Sequence, residues 1–373
     1  MKGQVVYMYA YDVAYEIDLQ KVRELLAKRT QFMELRPDKT IPRDFPLYKP
    51  LCIEEPAITA QTSIGPLTLR REIKIFAIGA LSISLEADFE VGEIGDLLAY
   101  HSLKLADGRT LDDLAAEVCD SVLSTIGPYL TRPSPDKGNP EAYTIFCLFS
   151  GLQGAPVGRS GAPDAQRWLA VHRQAVAGLL TEEKSFDRLS EAEIEETTKH
   201  NYSYTTSDLL VVDWNSALIV DPEGRPDELL YIIETANLQL TEFRLYDRTL
   251  EEFLDKAYDE IEAYSRKPPL LKGPGPVLSR LRGMRMDLAK MADELSNITK
   301  FFGDWHLARL YMACADRFHL KEWQDSVDSK LKTLDSLYNL LLTDITNRRM
   351  LLLEVAIVAL FIADLILIGM QLK

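Results

Sequence analysis

Two adjacent stretches, LRREIKIFAIG (Leu69–Gly79) and ALSISLEADF (Ala80–Phe89), decide the fold that this sequence predicts. In both, aliphatic residues alternate with polar ones, which is the two-residue period of a half-buried strand. A glycine between two such runs is typical of a tight turn, because glycine adopts positive φ without strain. The sequence therefore predicts a β-hairpin that turns at Gly79.

Outward from this hairpin, the sequence predicts the order β-α-β-β-α-β over residues 1–150. The flanking elements are a strand in QVVYMYAYDV (Gln4–Val13), a helix in DLQKVRELLAKR (Asp18–Arg29), a helix in TLDDLAAEVCDSVLSTIG (Thr110–Gly127) and a strand in AYTIFCLF (Ala142–Phe149). Thr110 and Asp113 have the spacing of a capping box at the start of the second helix. This order is that of a ferredoxin-like α+β sandwich.

A glycine-rich loop, SGLQGAPVGRSGAP (Ser150–Pro163), follows and leads into a helix in Asp164–Leu180. A strand, a glycine loop and a helix N-terminus are the setting of phosphate-binding loops, since free N–H groups attract anions. The GxxxxGK[ST] signature is missing, because GRS (158–160) has the wrong spacing and Arg in place of Lys. We interpret the segment as a surface loop, and anion binding at 151–161 stays open.

Residues 151–266 are expected to complete the soluble domain, with a hairpin in Asp208–Val220 that extends the sheet and a long helix in Asp227–Tyr264. Residues 267–283 form a basic linker rich in Pro and Gly. Its basic residues offer a second interpretation, contact with anionic lipid or RNA. The candidates for that contact are Arg280, Arg282 and Arg285.

Residues 284–349 are predicted to form a helical stalk with a coiled-coil seam. Apolar residues recur there at alternating spacings of four and three, which is the heptad pattern. They are Val327, Leu331, Leu334, Tyr338, Leu341 and Ile345. An antiparallel pair with the preceding helix (Phe302–Leu320) and a parallel bundle between chains both fit. We favour the pair within the chain, with oligomers formed as well.

The last segment, RRMLLLEVAIVALFIADLILIGMQLK (Arg348–Lys373), is predicted to be a membrane anchor. Residues 350–370 would form about 31 Å of helix, which matches a hydrocarbon core of about 30 Å. Arg348 and Arg349 precede the span and only Lys373 follows it. The positive-inside rule then predicts a single-pass protein of the inner or cytoplasmic membrane, with its bulk in the cytoplasm or an equivalent matrix.

Two carboxylates, Glu354 and Asp364, lie inside this span. Glu354 is one turn from the near end and can reach back toward Arg348 or Arg349. Asp364 is deeper and its side chain is short. An intramembrane carboxylate normally faces protein or water, so self-association is the simplest source of a partner. We therefore predict a homo-oligomer.

The remaining composition argues against several function classes. The formal charge of −15 opposes general duplex-DNA binding, and the four cysteines contain no CxxC pair. The five histidines show no metal-ligand spacing, and the sequence contains no GxSxG elbow. We predict a non-enzymatic membrane-anchored scaffold or tether with no cofactor or metal. The alternatives are an oligomeric ion-conducting or ion-sensing protein with Asp364 at its axis, and a nucleotide-dependent enzyme that uses the glycine loop.

Three stretches resemble a family called "required for meiotic nuclear division". They are the helix ANLQLTEFRLYDRTLEE (Ala236–Glu252), the strand DLLVVDW (Asp208–Trp214) and the closing segment Arg348–Gly369 with its two carboxylates. The resemblance implies an inner-membrane tether that supports translation, with a ribosome or RNA as partner and no catalytic residues. The layout also resembles CorA-type magnesium channels, whose GMN signature is similar to GMQ (369–371), although a second span is absent.

Overall fold

The computed structural model describes residues 1–26, 30–32, 50–134, 140–152, 163–266 and 305–371. The strands are β1 (Lys2–Asp12), β2 (Ala14–Ile17), β3 (Thr30–Phe32), β4 (Leu51–Thr62), β5 (Gly65–Ile75), β6 (Ala80–Glu90), β7 (Leu130–Pro133), β8 (Glu141–Ser150), β9 (Asn201–Tyr202), β10 (Leu209–Val212) and β11 (Ser216–Val220). The α-helices are α1 (Leu19–Leu26), α2 (Leu111–Ile126), α3 (Ala165–Leu180), α4 (Glu191–Thr197), α5 (Asp227–Arg266), α6 (Trp305–Arg317) and α7 (Leu320–Gln371).

Within the described residues, nine strands form one mixed sheet in the order β3-β4-β5-β6-β1-β8-β11-β10-β9. Neighbouring strands are antiparallel except β8 and β11, which are parallel. β2 and β7 form a separate two-stranded sheet. The prediction of an α+β protein is confirmed.

The hairpin that decided the fold is present as β5 and β6, which pair from Ile75 opposite Leu81. Gly79 in its turn has φ +90°, a value that favours glycine. A Cβ atom at this position would also lie 1.7 Å from the carbonyl oxygen of Ala14. Both the backbone angle and the close approach of Ala14 therefore require glycine here.

Strand β4 was not predicted, although it pairs with β5 along most of its length. Its sequence contains Pro56, and a proline inside an apolar run argues against a strand because it removes a hydrogen-bond donor. The register shifts between Glu55 and Ile58, so the proline sits at an irregularity of the ladder. Arg71 compensates, because its Nη2 donates to the Pro56 carbonyl oxygen at 3.0 Å.

Helices cover both faces of the sheet around β1. Tyr7 and Tyr9 belong to the core that includes α2 and α3, and the Tyr9 hydroxyl donates to Asp112 Oδ1 at 2.9 Å. Ala10 belongs to a second cluster with Leu238 of α5. The central strand is therefore buried on both sides.

The chain divides into two compact units. The first contains Met1–Glu242 and Ser296–Lys321, and the second contains Phe243–Leu295 and Glu322–Lys373. The sheet and α6 belong to the first unit. The distal half of α5 and almost all of α7 belong to the second, so each of these two helices is shared by both units.

In the second unit, α5 and α7 run side by side in the same direction. Three side-chain contacts join residues that are 79 positions apart. They are the Arg244 guanidinium over the Trp323 ring (5.4 Å), Ser326 Oγ to Asp247 Oδ1 (3.0 Å) and Lys330 Nζ to Glu251 Oε2 (3.3 Å). Because the offset stays constant along the chain, the two helices are parallel.

This pairing differs from the one that the heptad pattern suggested. Four residues of the predicted seam are buried: Val327, Leu331, Leu334 and Tyr338. The side chains of Leu341 and Ile345 lie outside the description. The partner is α5 rather than the preceding helix, and the pair is parallel rather than antiparallel. A heptad pattern does not specify which helix is the partner or in which direction that helix runs. The parallel pairing of α7 with α5 is favoured by charge, because Lys330 of α7 lies opposite Asp247 and Glu251 of α5.

Candidate functional site

A helix that is buried on every side carries a run of polar side chains. The thirteen consecutive residues Leu230–Glu242 of α5 are all buried. Burying polar groups costs free energy unless they find partners. The polar members of the run are Glu234, Thr235, Asn237, Gln239, Thr241 and Glu242. The partners of these side chains show how α5 is held in the first unit.

Lys74 of β5 and Glu234 of α5 form a buried ion pair. Lys74 Nζ lies 3.0 Å from Glu234 Oε2 and 3.2 Å from Glu72 Oε2, and the side chains of Lys74 and Glu234 are 7% and 1% exposed. Ser82, opposite Lys74 on β6, lies close enough to Glu234 to favour its charged form. Within the described chain, Ser82 Oγ and Glu234 Oε1 nevertheless make no well-aligned hydrogen bond.

Burial and pairing act in opposite directions on these groups. Burial lowers the pKa of Lys74, but the carboxylates of Glu234 and Glu72 outweigh it and raise the pKa above its ordinary value. Burial raises the pKa of Glu234 against the attraction of Lys74. The contacts of Lys74 with Glu234 and Glu72 hold α5 against the sheet.

Other polar contacts hold α6 and β8 against the same helix. Asn237 Nδ2 donates to the Glu141 carbonyl oxygen at 3.3 Å. The hydroxyl of Tyr311 on α6 donates to Gln239 Oε1. The buried polar run thus joins α5 to the sheet on one side and to α6 on another.

The end of α6 is held by an ion pair of its own. Arg317 Nε lies 2.9 Å from Oδ1 of Asp213, which follows β10 and is buried, and Arg317 Nη1 lies 3.4 Å from Glu196. Tyr143 of β8 donates its hydroxyl to the Asp213 carbonyl oxygen at 2.8 Å. Strands β8 and β10 and helix α6 therefore meet at Asp213.

Two histidines of the first unit have protein partners that explain their positions. His101 Nε2 lies 2.7 Å from the Leu179 carbonyl oxygen and its Nδ1 lies 3.3 Å from Glu182, and burial lowers the pKa of His101 against that carboxylate. His200 Nδ1 lies 3.8 Å from Asp316, and burial lowers its pKa too. Among the described residues, no three His, Cys, Asp or Glu side chains come together as a metal site. The absence of a metal in the protein stays a prediction.

The carboxylates singled out in the sequence lie on α7. Glu354 and Asp364 are both exposed, and ten residues of helix separate them by about 80° around the axis. The structure does not bring them together. Arg348 is also exposed. The side chain of Arg349, the glycine loop at 153–162 and the whole of Arg280, Arg282 and Arg285 lie outside the described residues.

In the part of the chain that the structure describes, α7 is the one helix long and apolar enough to cross a membrane. By length and composition alone, the core helix of a soluble protein passes the same test. Here the apolar window is not buried at all, and every residue from 350 to 368 is exposed. Exposure separates this helix from a core helix.

The fold and these contacts define an α+β protein with a mixed sheet, a buried polar helix and a long apolar helix. The chain belongs to the family described as "Uncharacterized protein MJ0711, N-terminal domain", which matches residues 2–227. A relative from Methanocaldococcus jannaschii, "Uncharacterized protein MJ0711", is 26% identical over 260 residues, which cover 69% of this chain and 73% of the relative. No solved structure matches the chain.

The match to the MJ0711 family contradicts the predicted resemblance to the required-for-meiotic-nuclear-division family. That prediction is wrong. The stretches that suggested it have local physical explanations. Ala236–Glu252 contains part of the buried polar run and the start of the pairing with α7. An apolar helix with one acidic residue near each end is a matter of amino-acid composition. Such a pattern does not identify a family. The link to translation, a ribosome or RNA rested on that resemblance and has lost its basis.

Sequence reasoning missed Lys74 and Glu234. A signal for Glu234 exists, because polar residues stand on several sides of the helix in LYIIETANLQLTE (Leu230–Glu242), which an exposed amphipathic helix would not show. Lys74 gives a weaker signal, as a charged residue between two isoleucines in EIKIF (Glu72–Phe76). Neither signal identifies the partner.

Proposed function

We propose that this protein is a non-enzymatic, membrane-anchored scaffold or tether. Residues 350–370 of α7 cross the membrane and hold the α+β unit at its cytoplasmic or matrix side. One observation carries the proposal: α7 is continuous from Leu320 to Gln371, and its apolar part is exposed all round. A surface this apolar and this long fits a hydrocarbon core better than water.

The proposed orientation of the protein in the membrane rests on Arg348 and Arg349. Both residues directly precede the apolar segment on α7, and positive residues next to a span favour the cytoplasmic side. The membrane is accordingly the inner or cytoplasmic one.

We further propose that the centre of the sheet is a ferredoxin-like core. The order β8-β1-β6-β5 supports it, because these four neighbours are antiparallel and come from a β-α-β-β-α-β chain order. Strands β3 and β4 extend this core at one edge, and β11, β10 and β9 extend it at the other.

Truncation tests the anchor. A chain that ends at Asn347 should fold and stay in the supernatant after alkaline washing, whereas the full chain stays in the membrane pellet. A control chain, in which an unrelated Leu/Ala span replaces residues 350–370, should return to the pellet. If the truncated chain remains in the washed pellet, attachment by this segment is wrong.

A second candidate function follows from Asp364, which is exposed on an apolar stretch whose other charged residue is Glu354. In an oligomer that places Asp364 at a central axis, the carboxylates would line a path for cations. Ion flux into liposomes that contain the full chain favours this function, provided that Asp364→Asn reduces the flux. Flux that is the same for both chains, or none for either, leaves the tether as the better account.

A further inference from the structure

The end of α6 is attached to the sheet through four consecutive side chains, Asp316–His319, which we call the α6 corner. Each has a partner on β8, directly before β9 or just after β10. The pairs are Asp316 with His200 (3.8 Å between Oδ2 and Nδ1), Arg317 with Asp213 (2.9 Å), Phe318 with Tyr143 (5.2 Å between ring centroids) and His319 with Trp214 (5.4 Å). His319 has φ +52°, which a residue other than glycine adopts at a cost. The shape of the corner therefore depends on these contacts.

His200 lies at this attachment with little access to water. Its side chain is 12% exposed, and the 3.8 Å between its Nδ1 and Asp316 Oδ2 is too long for a hydrogen bond. The Asp316 carboxylate is 77% exposed, so water screens its charge. The place suits a neutral His200 ring, because an uncharged ring needs less water than a charged one.

The other charged groups around His200 belong to α6 and to the chain around α4. Arg317 of α6 and Lys199, just after α4, are cations, and Glu196 of α4 is a carboxylate. Glu196 is already shared, since it lies 3.4 Å from Arg317 and 3.5 Å from Lys199. Burial lowers the pKa of His200 below its ordinary value; Asp316 and Glu196 oppose this change, whereas the two cations add to it. A proton on His200 is therefore held less firmly here than in water.

We propose that protonation of His200 opens the α6 corner, so that the attachment of α6 to the sheet is sensitive to acid. The charged ring is better hydrated in water than beside Asp316, and it reaches water when the corner separates from the sheet. Because the pKa of attached His200 is below the ordinary 6.5, the attachment is strongest above pH 6.5 and weakens as the pH falls below it. The corner belongs to the first unit, so this response does not depend on the membrane anchor.

A distance between two spin labels measures this response locally. The labels are placed at two exposed positions, Met312→Cys on α6 and Val171→Cys on α3, in the full chain in mild detergent. Cys52→Ser removes the half-buried cysteine, and the other three cysteines are buried. Double electron–electron resonance should give a narrow distribution at pH 8 and a second component at pH 5. Arg317→Gln removes the ion pair with Asp213 and should show that component already at pH 8.

Two variants assign the response to one histidine. His200→Gln stays neutral at every pH and should keep the narrow distribution at pH 5. His101→Gln is the matched control, because burial lowers the pKa of His101 as well, but its ring contacts the Leu179 carbonyl oxygen of α3 rather than α6. The His101→Gln chain should respond to acid as the native chain does.

Each of three results would overturn this role of His200. The first is a native chain whose distances are the same at pH 8 and pH 5. The second is an equal response in the native and His200→Gln chains. If His200→Gln is already open at pH 8, glutamine does not replace the ring, and His200→Phe takes its place in the comparison. The third result is a His200→Phe chain that is closed at pH 8 and opens at pH 5 like the native chain.

Discussion

Lys74 and Glu234 are 160 positions apart in the sequence, yet their charged groups meet at 3.0 Å with both side chains withdrawn from solvent. This pair joins β5, the first strand of the hairpin, to the most deeply buried part of α5. Glu72 is the second carboxylate near the Lys74 amine, and it also stabilises the positive charge of Lys74. The pair thus fixes which turn of α5 lies over β5.

Removing one member of the pair should strongly destabilise the first unit. In Lys74→Met the carboxylates of Glu234 and Glu72 lose their cation, and we expect a loss of about 3–5 kcal/mol. The double variant Lys74→Met, Glu234→Leu should recover most of it, because no buried charge is left over on α5. Urea denaturation of the full chain in mild detergent, followed by near-UV circular dichroism, measures both. Lys2→Met breaks an exposed pair with Glu90 and is the control, expected to change the midpoint little.

Asp12 should make the stability fall as the pH rises. Burial raises the pKa of Asp12 from 3.8 to about 7, and Ser134 Oγ at 3.4 Å offsets it only in part. The folded chain therefore binds this proton more tightly than the unfolded chain. The resulting stability is complete below about pH 4 and disappears as the pH passes through 7, with at most about 4 kcal/mol at stake. Asp12→Asn should raise the urea midpoint at pH 8 but not at pH 4. An equal effect at both values contradicts the assignment.

A disulfide can verify the direction of the α5–α7 pair. Asp247 and Ser326 touch through their side chains at 3.0 Å, so cysteines at these two positions should form an intramolecular disulfide under mild oxidation. The matched pair Asp247→Cys, Ser336→Cys moves one cysteine about 15 Å along α7 and should stay reduced. Mobility on non-reducing gels distinguishes the two. Crosslinking of the second pair in preference to the first would contradict the parallel register.

Asp364 should hold copies of the chain together inside the membrane. A charged aspartate near the middle of a span costs about 2.5–3.5 kcal/mol on insertion scales, and a hydrogen bond between helices recovers roughly 1–2 kcal/mol. Asp364→Leu should therefore insert better and yield fewer crosslinked oligomers in membranes. Glu354→Leu, near the interface, should do less. Equal oligomer populations in the native chain and both variants would contradict this role of Asp364.

Local patterns were enough to predict several elements of the sheet unit, among them the hairpin β5–β6 and helix α2. Thr110 and Asp113 form the predicted capping box, with Thr110 N donating to Asp113 Oδ2 at 2.8 Å and Asp113 N to Thr110 Oγ1 at 3.2 Å. Gly79 turns the predicted hairpin. These features depend on residues within a few positions of each other, and the sequence displays such residues together.

Contacts between distant residues were beyond such reasoning. The pairing of Lys74 with Glu234 depends on which turn of α5 crosses β5, and no local period encodes that. The same holds for α7, where the buried seam was recognised but not its partner α5. The irregular strand β4 was not predicted for the opposite reason. Pro56 argues locally against a strand, whereas pairing with the neighbouring β5 imposes one.

The central position of β1 has a consequence for biosynthesis. Its neighbours are β6 and β8, and β8 begins roughly 130 residues after β1 ends. At a translation rate of 5–20 residues per second, the emerging strand waits roughly 7–26 s for its second neighbour. During that time VVYMYAY (Val5–Tyr11), an uncharged run rich in valine and tyrosine, has an open edge. A nascent chain of this protein therefore presents an unpaired strand edge until β8 has been made.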